Sequence, residues 1–278
     1  MHHNYRQMDL RKANRFKVYI IESLHEGDMH TGQNLYDYLR QRSVDYSDYM
    51  FEATYLSVYD REELLETFRE ISNDVEANND VPIVQIECHG DINYILLSSN
   101  EHIGWIELFD LTRPVNIVSH NSLLLNLSMC NGHAVIQEID PKKRAPFRAV
   151  VGPFEEKKAT SLQESWEKFY DRYYIGIKNN QEFWLHELAS DCGLIYDNQE
   201  FIFDSHLDTP NLFPEIFDYW MKKEIADMYM KEGPLMLDSN AYKIYRARQF
   251  KKYFDEFRPY YCFQSDSHNN GRQVDHPE

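Results

Sequence analysis

Cysteine is scarce in this 278-residue chain: only Cys88, Cys130, Cys192 and Cys262 occur, and no two form a CxxC pair. That spacing argues against both a disulfide framework and a zinc ribbon. Glycine and proline number ten each, so breakers are few, and no Pro/Gly/Ser-rich linker or internal repeat divides the chain. Positive charge is outnumbered, 29 Lys+Arg against 46 Asp+Glu, for a formal net charge of −17. Phosphate-backbone binding calls for a basic surface, so nucleic acid is not an expected partner. No long apolar run is present, and membrane insertion is not expected. Met1 to Phe16 is polar and lacks the apolar stretch of a signal peptide. With unpaired thiols, this sets the expectation of a reducing cytoplasm. The sequence holds no GxGxxG, no GxxxxGK[ST] and no HExxH. Its 12 histidines, among them His25, His30, His102, His120 and His133, show no ligand spacing, so no metal and no cofactor are expected.

What is there is ordinary globular material: 42% hydrophobic, 14% aromatic and 27% charged. The length suits one large domain with an extension. Lys17 to Glu22 is a short apolar, β-branched run and reads as a buried strand; residues 32–42 follow as a helix with Leu35 and Leu39 on one face. Met50 to Val58 reads as a second strand. Asp60 and Glu63 have the spacing of a capping box, and Leu64, Phe68, Ile71 and Val75 form the apolar stripe of the next helix. Val81 to Glu87 is a third strand, ending in Cys88-His89-Gly90. A helix from Gly104 to Leu111 is expected to close at Pro114. Ser122 to Met129 is a fourth strand ending in Cys130-Asn131-Gly132, and Phe147 to Val151 a fifth. Strands apolar on both faces and separated by helices predict a mostly parallel sheet covered on both sides, an α/β fold of three layers. Such sheets work at the carboxyl ends of their strands.

After residue 155 the pattern turns helical. Leu162, Trp166, Phe169, Tyr170 and Tyr173 make one stripe; Phe213, Phe217, Trp220, Met221 and Ile225 make another; Tyr242 to Phe257 carries a third. Helical spacing explains these aromatics as core. Glu155 to Lys158 reads as a solvated charge run, and Asp140 to Pro146 as an exposed loop holding three adjacent cations between two prolines. The expected organisation is an N-terminal tail over 1–15, a catalytic-type α/β domain over 16–175, a helical extension over 176–263 and a flexible tail over 264–278.

Two strand ends carry the chemistry. A thiol of ordinary pKa is only a few per cent thiolate at neutral pH and needs a base to attack a carbonyl. An imidazole can take that proton and later deliver one to a leaving amine. The oxyanion then needs two donors, commonly backbone N–H groups in a turn. Cys130 and His89 are the candidate nucleophile and base, and the backbone N–H groups of Gly90 and Cys130 the candidate oxyanion hole. Gly132 allows a tight turn beyond the thiol. Cys88, adjacent to His89, points to the opposite face of its strand and reads as packing. Cys192 and Cys262 have no base nearby in sequence.

Ile83 to Gly90 resembles the apolar strand plus His-Gly of caspase-like cysteine peptidases, and Leu125 to Gly132 resembles their strand plus Cys-x-Gly. The separation of 41 residues (130 − 89) is compatible with a family separation of roughly 50. Trp105 to Asn116, and Ser128 two positions before the thiol, resemble the CHAT branch of that clan. Val18 to Ser23 and Tyr36 to Leu39 are similar to the first strand and helix of the same fold. The likeness spans roughly residues 15–175. It implies a caspase-like fold and a cysteine endopeptidase that performs limited cleavage of a protein or peptide partner. It further suggests a bacterial immune or cell-death setting with a gasdermin-like substrate. Ser128-Met129-Cys130-Asn131-Gly132 departs from the Gln-Ala-Cys-Arg-Gly type, and no acidic residue stands two before the thiol, so neither aspartate nor arginine specificity carries over. On the residues alone, a non-enzymatic α/β binding module and another Cys/His acyl-transfer enzyme stay open beside the peptidase.

Overall fold

A computed structural model describes residues 16–45, 51–140, 143–178, 185–199, 201–203 and 258–262. Most of the expected helical extension, including the aromatic stripes at 213–225 and 242–257, lies outside the described residues.

Among the described residues the chain runs β1 (Phe16–Ser23), α1 (Thr31–Asp45), β2 (Phe51–Ser57), α2 (Arg61–Asn78), β3 (Val81–Gly90), β4 (Tyr94–Leu96), β5 (His102–Gly104), α3 (Trp105–Val118) and β6 (Leu124–Ser128). A 3-10 turn follows over Gly132–Glu138, then β7 (Ala149–Gly152), α4 (Ala159–Lys178), α5 (Leu185–Asp191) and β8 (Ile195–Asn198). The fold is α/β with a mostly parallel mixed sheet, ordered β2-β1-β3-β6-β7-β8. The pairs β1–β2, β1–β3, β3–β6 and β6–β7 are parallel, and β8 joins β7 antiparallel. β4 and β5 form an antiparallel offshoot from the end of β3.

Helices cover both faces, which is why β1 and β6 are buried at every position. On one face Val18, Ile20, Ile83 and Leu124 pack with Leu35 and Leu39 of α1 and with Trp166, Phe169, Tyr170 and Tyr173 of α4. α2 lies on the other face: Tyr19, which points the opposite way from Val18, donates its hydroxyl to Asp74 at 2.6 Å. The α2 stripe Leu64, Phe68, Ile71 and Val75 is fully buried. Each such side chain contributes roughly 1.5–3 kcal/mol by leaving water. Asp60 caps α2 by accepting from Glu63 N at 3.0 Å, while the Glu63 carboxylate reaches back to Tyr59 N–H at 2.7 Å, one residue before the cap.

The structure corrects two expectations. Pro114 does not close α3, which continues to Val118. Pro114 and Asp110, whose carbonyl loses its helical donor, are both exposed, so water can serve that oxygen. The segment after β3 forms the β4–β5 hairpin, with His102 stacked on Tyr94 at 4.0 Å between ring centroids. Ile195–Asn198, in a stretch with a helical pattern, is the edge strand β8; tertiary pairing with β7 outweighs local preference.

The chain divides into two compact units. The first holds residues 1–139 and 145–199, and so contains the whole sheet; the second holds 140–144 and 200–278. In the second, Phe203 packs on Tyr261 at 5.3 Å, and the Arg144 and Arg258 guanidinium groups lie over the Tyr260 and Phe203 rings. Of the cationic loop at Asp140 to Pro146, residues 141 and 142 lie outside the described residues.

Candidate functional site

β1 connects outward to β2 on one side, while the chain later builds β3, β6 and β7 on the other. The strand order therefore reverses between β1 and β3, and a crevice is expected beyond their carboxyl ends. Three strands align there. Glu22 of β1 pairs with Glu87 of β3, and Glu87 with Ser128 of β6. One register step inward, Gln85 faces Asn126. On the α1/α4 face these strands thus turn from apolar to polar toward their carboxyl ends.

The polar row is buried, and both of its carboxylates are hydrogen-bonded. Glu22 Oε1 accepts from Gly32 N at 2.7 Å and Gln33 N at 3.3 Å, at the amino end of α1. That helix end offers free N–H groups and a positive dipole, which suit a carboxylate. Glu22 Oε2 accepts from Tyr55 Oη at 2.7 Å and lies 3.0 Å from His30 Nδ1. Glu87 accepts from Thr31 Oγ1 at 2.7 Å and Gln85 Nε2 at 2.8 Å. Gln85 Oε1 accepts a 3.0 Å bond from Tyr170 Oη, which itself accepts from Asn126 Nδ2 at 2.9 Å. Burial drives the Glu87 carboxyl up to about 7; the donors around it, the nearby Ser128 hydroxyl included, oppose this, and the Glu22 charge adds to it. Gly32 is required by proximity. A Cβ there would stand 2.9 Å from Glu22 Oε1 and 3.1 Å from Glu87 Cγ.

His89 and Cys130 lie beyond this row. Each is two residues past a member of the Glu87–Ser128 pair, at neighbouring strand ends. His89 shares the face of Glu87, and its ring is half exposed, with Nε2 2.8 Å from Asp28 Oδ2 in the β1–α1 loop. The His89 bond holds the Asp28 carboxyl below its ordinary pKa. Cys130 is partly buried, its Sγ 4.0 Å from the Lys157 carbonyl just before α4. The thiol and the imidazole are thus brought to one edge of the sheet, but no hydrogen bond joins them: each has a different partner.

Gly90 pairs with Ile95 across the β3–β4 ladder, and Asp91 N–H donates to the Tyr94 carbonyl at 2.9 Å. In the alternation of an antiparallel ladder this makes Gly90–Ile95 the non-hydrogen-bonded kind, with the Gly90 N–H pointing away from β4. β4 lies on the β1 flank, since Ser98 N soon afterwards donates to Ser23 Oγ at 2.9 Å. The Gly90 N–H therefore faces the β6 flank, the side of Cys130. A Cβ at Gly90 would meet Met129 Cγ and Sδ at 2.9 Å.

The turn after the thiol differs in detail from expectation. Asn131, not Gly132, adopts the left-handed conformation, with φ of 56°. Gly132 is small because a Cβ would stand 2.8 Å from Leu127 Cβ and 2.9 Å from its carbonyl. The following His133 is buried, donates its N–H to the Pro153 carbonyl at 3.1 Å and pairs through Nε2 with Asp197 of β8 at 2.6 Å. This clamp fixes the loop beyond Cys130 to the sheet edge. Cys88, Cys192 and Cys262 are all buried; burial pushes the Cys88 and Cys192 thiols up, so neither is a ready nucleophile. Within the Glu155 to Lys158 charge run, Lys157 also donates from Nζ to the Gly193 carbonyl.

Asp28, Asp197 and the Glu22–Glu87 pair went unnoticed in the sequence. The partners that place them at the site lie far along the chain: His89 is 61 residues from Asp28, His133 is 64 from Asp197, and Glu87 is 65 from Glu22 (87 − 22), beyond any local motif. No protein-family model and no curated protein matches the sequence.

Proposed function

We propose that the protein is a cysteine endopeptidase with a caspase-like domain, in which Cys130 attacks and His89 moves the proton. The observation that carries this reading is the shared edge: the thiol and an imidazole anchored on a carboxylate stand at the carboxyl ends of neighbouring parallel strands, beside the point where the strand order reverses. With Nε2–H donating to Asp28, His89 keeps a lone pair on Nδ1 to accept the thiol proton. The thiol first turns from the Lys157 carbonyl to another staggered position. Attack on a peptide carbonyl gives a tetrahedral oxyanion, which the N–H groups of Gly90 and Cys130 stabilise. Collapse breaks the C–N bond as His89 protonates the amine. Water, activated by the same imidazole, then hydrolyses the thioester.

The likeness to the CHAT branch supports limited cleavage of a protein partner, with a gasdermin-like substrate in a bacterial immune setting as the candidate context. Profiling against a peptide library tests the reading. Cleavage by the wild-type chain that disappears in both Cys130→Ala and His89→Ala supports it, and the double variant is hardly worse than either single, because the two groups act as a unit. Cleavage that persists in Cys130→Ala removes the assignment. A wild-type chain that cleaves nothing favours the binding module.

A further inference from the structure

We propose that His25, Asp28 and His89 form a binding site for a zinc-class divalent cation. One donor atom from each lies within 4.8 Å of the other two. Asp28 Oδ2 stands 2.8 Å from His89 Nε2 and 3.6 Å from His25 Nδ1. Ligands at ordinary Zn–N and Zn–O lengths around a tetrahedral ion are about 3.3 Å apart, so small side-chain adjustments close the triangle. Two imidazoles and one carboxylate suit zinc and its neighbours; calcium and magnesium prefer all-oxygen sets.

The surroundings also fit. His25 Nε2 lies 3.2 Å from Asn100 Oδ1. Donation from Nε2–H to that carbonyl oxygen leaves the Nδ1 lone pair free on the Asp28 side, the outer partner that metal-binding histidines usually have. The His25 backbone N–H donates to Asp28 Oδ2 at 2.9 Å, and the Asp28 N–H returns a 3.0 Å bond to the His25 carbonyl. The turn that presents two of the three ligands is thus built without the ion. The three side chains are each a third to a half exposed, which leaves a coordination position open to water. The histidine spacing conceals the set because His89 lies 64 residues beyond His25 (89 − 25).

A consequence rests on the peptidase reading: an imidazole bound to a cation cannot serve as the mobile base, so zinc and cleavage exclude each other. The test is a titration of the chelator-treated full chain with Zn²⁺ against a fluorescent zinc indicator, repeated with Co²⁺ by visible absorption. The expected result is one site whose affinity falls at least tenfold in His25→Ala and in Asp28→Asn, falls less in Asn100→Ala, and is retained in Cys130→Ala. Tetrahedral Co²⁺ bands without thiolate charge transfer are expected. Zinc affinity and stoichiometry unchanged in both His25→Ala and Asp28→Asn overturn the proposal, as does loss of the site in Cys130→Ala. The binding measurement needs no substrate, so it stands even if no peptide is cleaved. Where cleavage is found, zinc at site-filling concentration stops it and a chelator restores it.

Discussion

Replacing Glu87 by glutamine gives a stability change with a defined pH dependence. The Glu87 carboxyl is fully buried, beside Glu22, and burial raises it from 4.5 to about 7. The native state then holds its proton more tightly than the unfolded chain does. Between those two values the folded protein is protonated there and the unfolded chain is not, so stability falls as pH rises through the window. The loss begins above the unfolded pKa and is complete above the folded one. A shift from 4.5 to about 7 corresponds to an upper limit of about 3 kcal/mol. The groups facing Glu87 are Thr31 from α1, Gln85 on its own strand, Glu22 from β1 and Ser128 from β6; His30 is in turn bonded to Glu22. Glutamine cannot ionise, keeps the shape, and retains an oxygen for one donor. Glu87→Gln should therefore come within about 1 kcal/mol of the wild type near pH 5 and exceed it by an amount approaching 3 kcal/mol near pH 8. The assay is urea denaturation from pH 5 to 8 with a chelator present, because His89 is a proposed metal ligand two residues away. The difference between the two proteins removes the contribution of groups that titrate in both. A difference that stays constant over that range, or that shrinks as pH rises, refutes the reasoning.

Gly32→Ala should destabilise the chain by roughly 1–3 kcal/mol despite alanine's better helix propensity, because its Cβ meets a carboxylate held between two elements; an unchanged melting temperature would contradict that. Iodoacetamide should modify Cys130 well before Cys88, Cys192 or Cys262, as read by peptide mass mapping of the native chain, and early labelling of Cys88 would count against the burial argument. Asp197→Ala leaves the buried His133 imidazole without its partner and should cost on the order of 2 kcal/mol, with faster proteolysis in the 131–139 loop; if the loop is cut no faster, His133 is held by other contacts.

Local periodicity was sufficient for much of the sheet. β1, β3 and β6 are short apolar runs whose burial on both faces follows from composition, and the α2 stripe and its Asp60 cap need only neighbours three or four residues apart along one helix. The positions of His89 and Cys130 at the carboxyl ends of their strands were legible for the same reason. β4 and β8 were not: each is only three or four residues long and exists through pairing with β3 and β7. Pro114 does not break α3 as the breaker rule expects, and both it and Asp110, four residues before it, are exposed residues where water can replace the lost helical donor. The polar row was out of reach for a deeper reason. Strand register decides that Glu22, Glu87 and Ser128 are neighbours, and register is a property of two chains of atoms meeting in space. Likewise Asp28 finds His89 across 61 residues, and Asp197 finds His133 across 64, because the sheet order brings their loops together. Sequence determined which segments bury themselves; tertiary structure decided which carboxylates face which imidazoles, since those pairings depend on distances that local spacing does not encode.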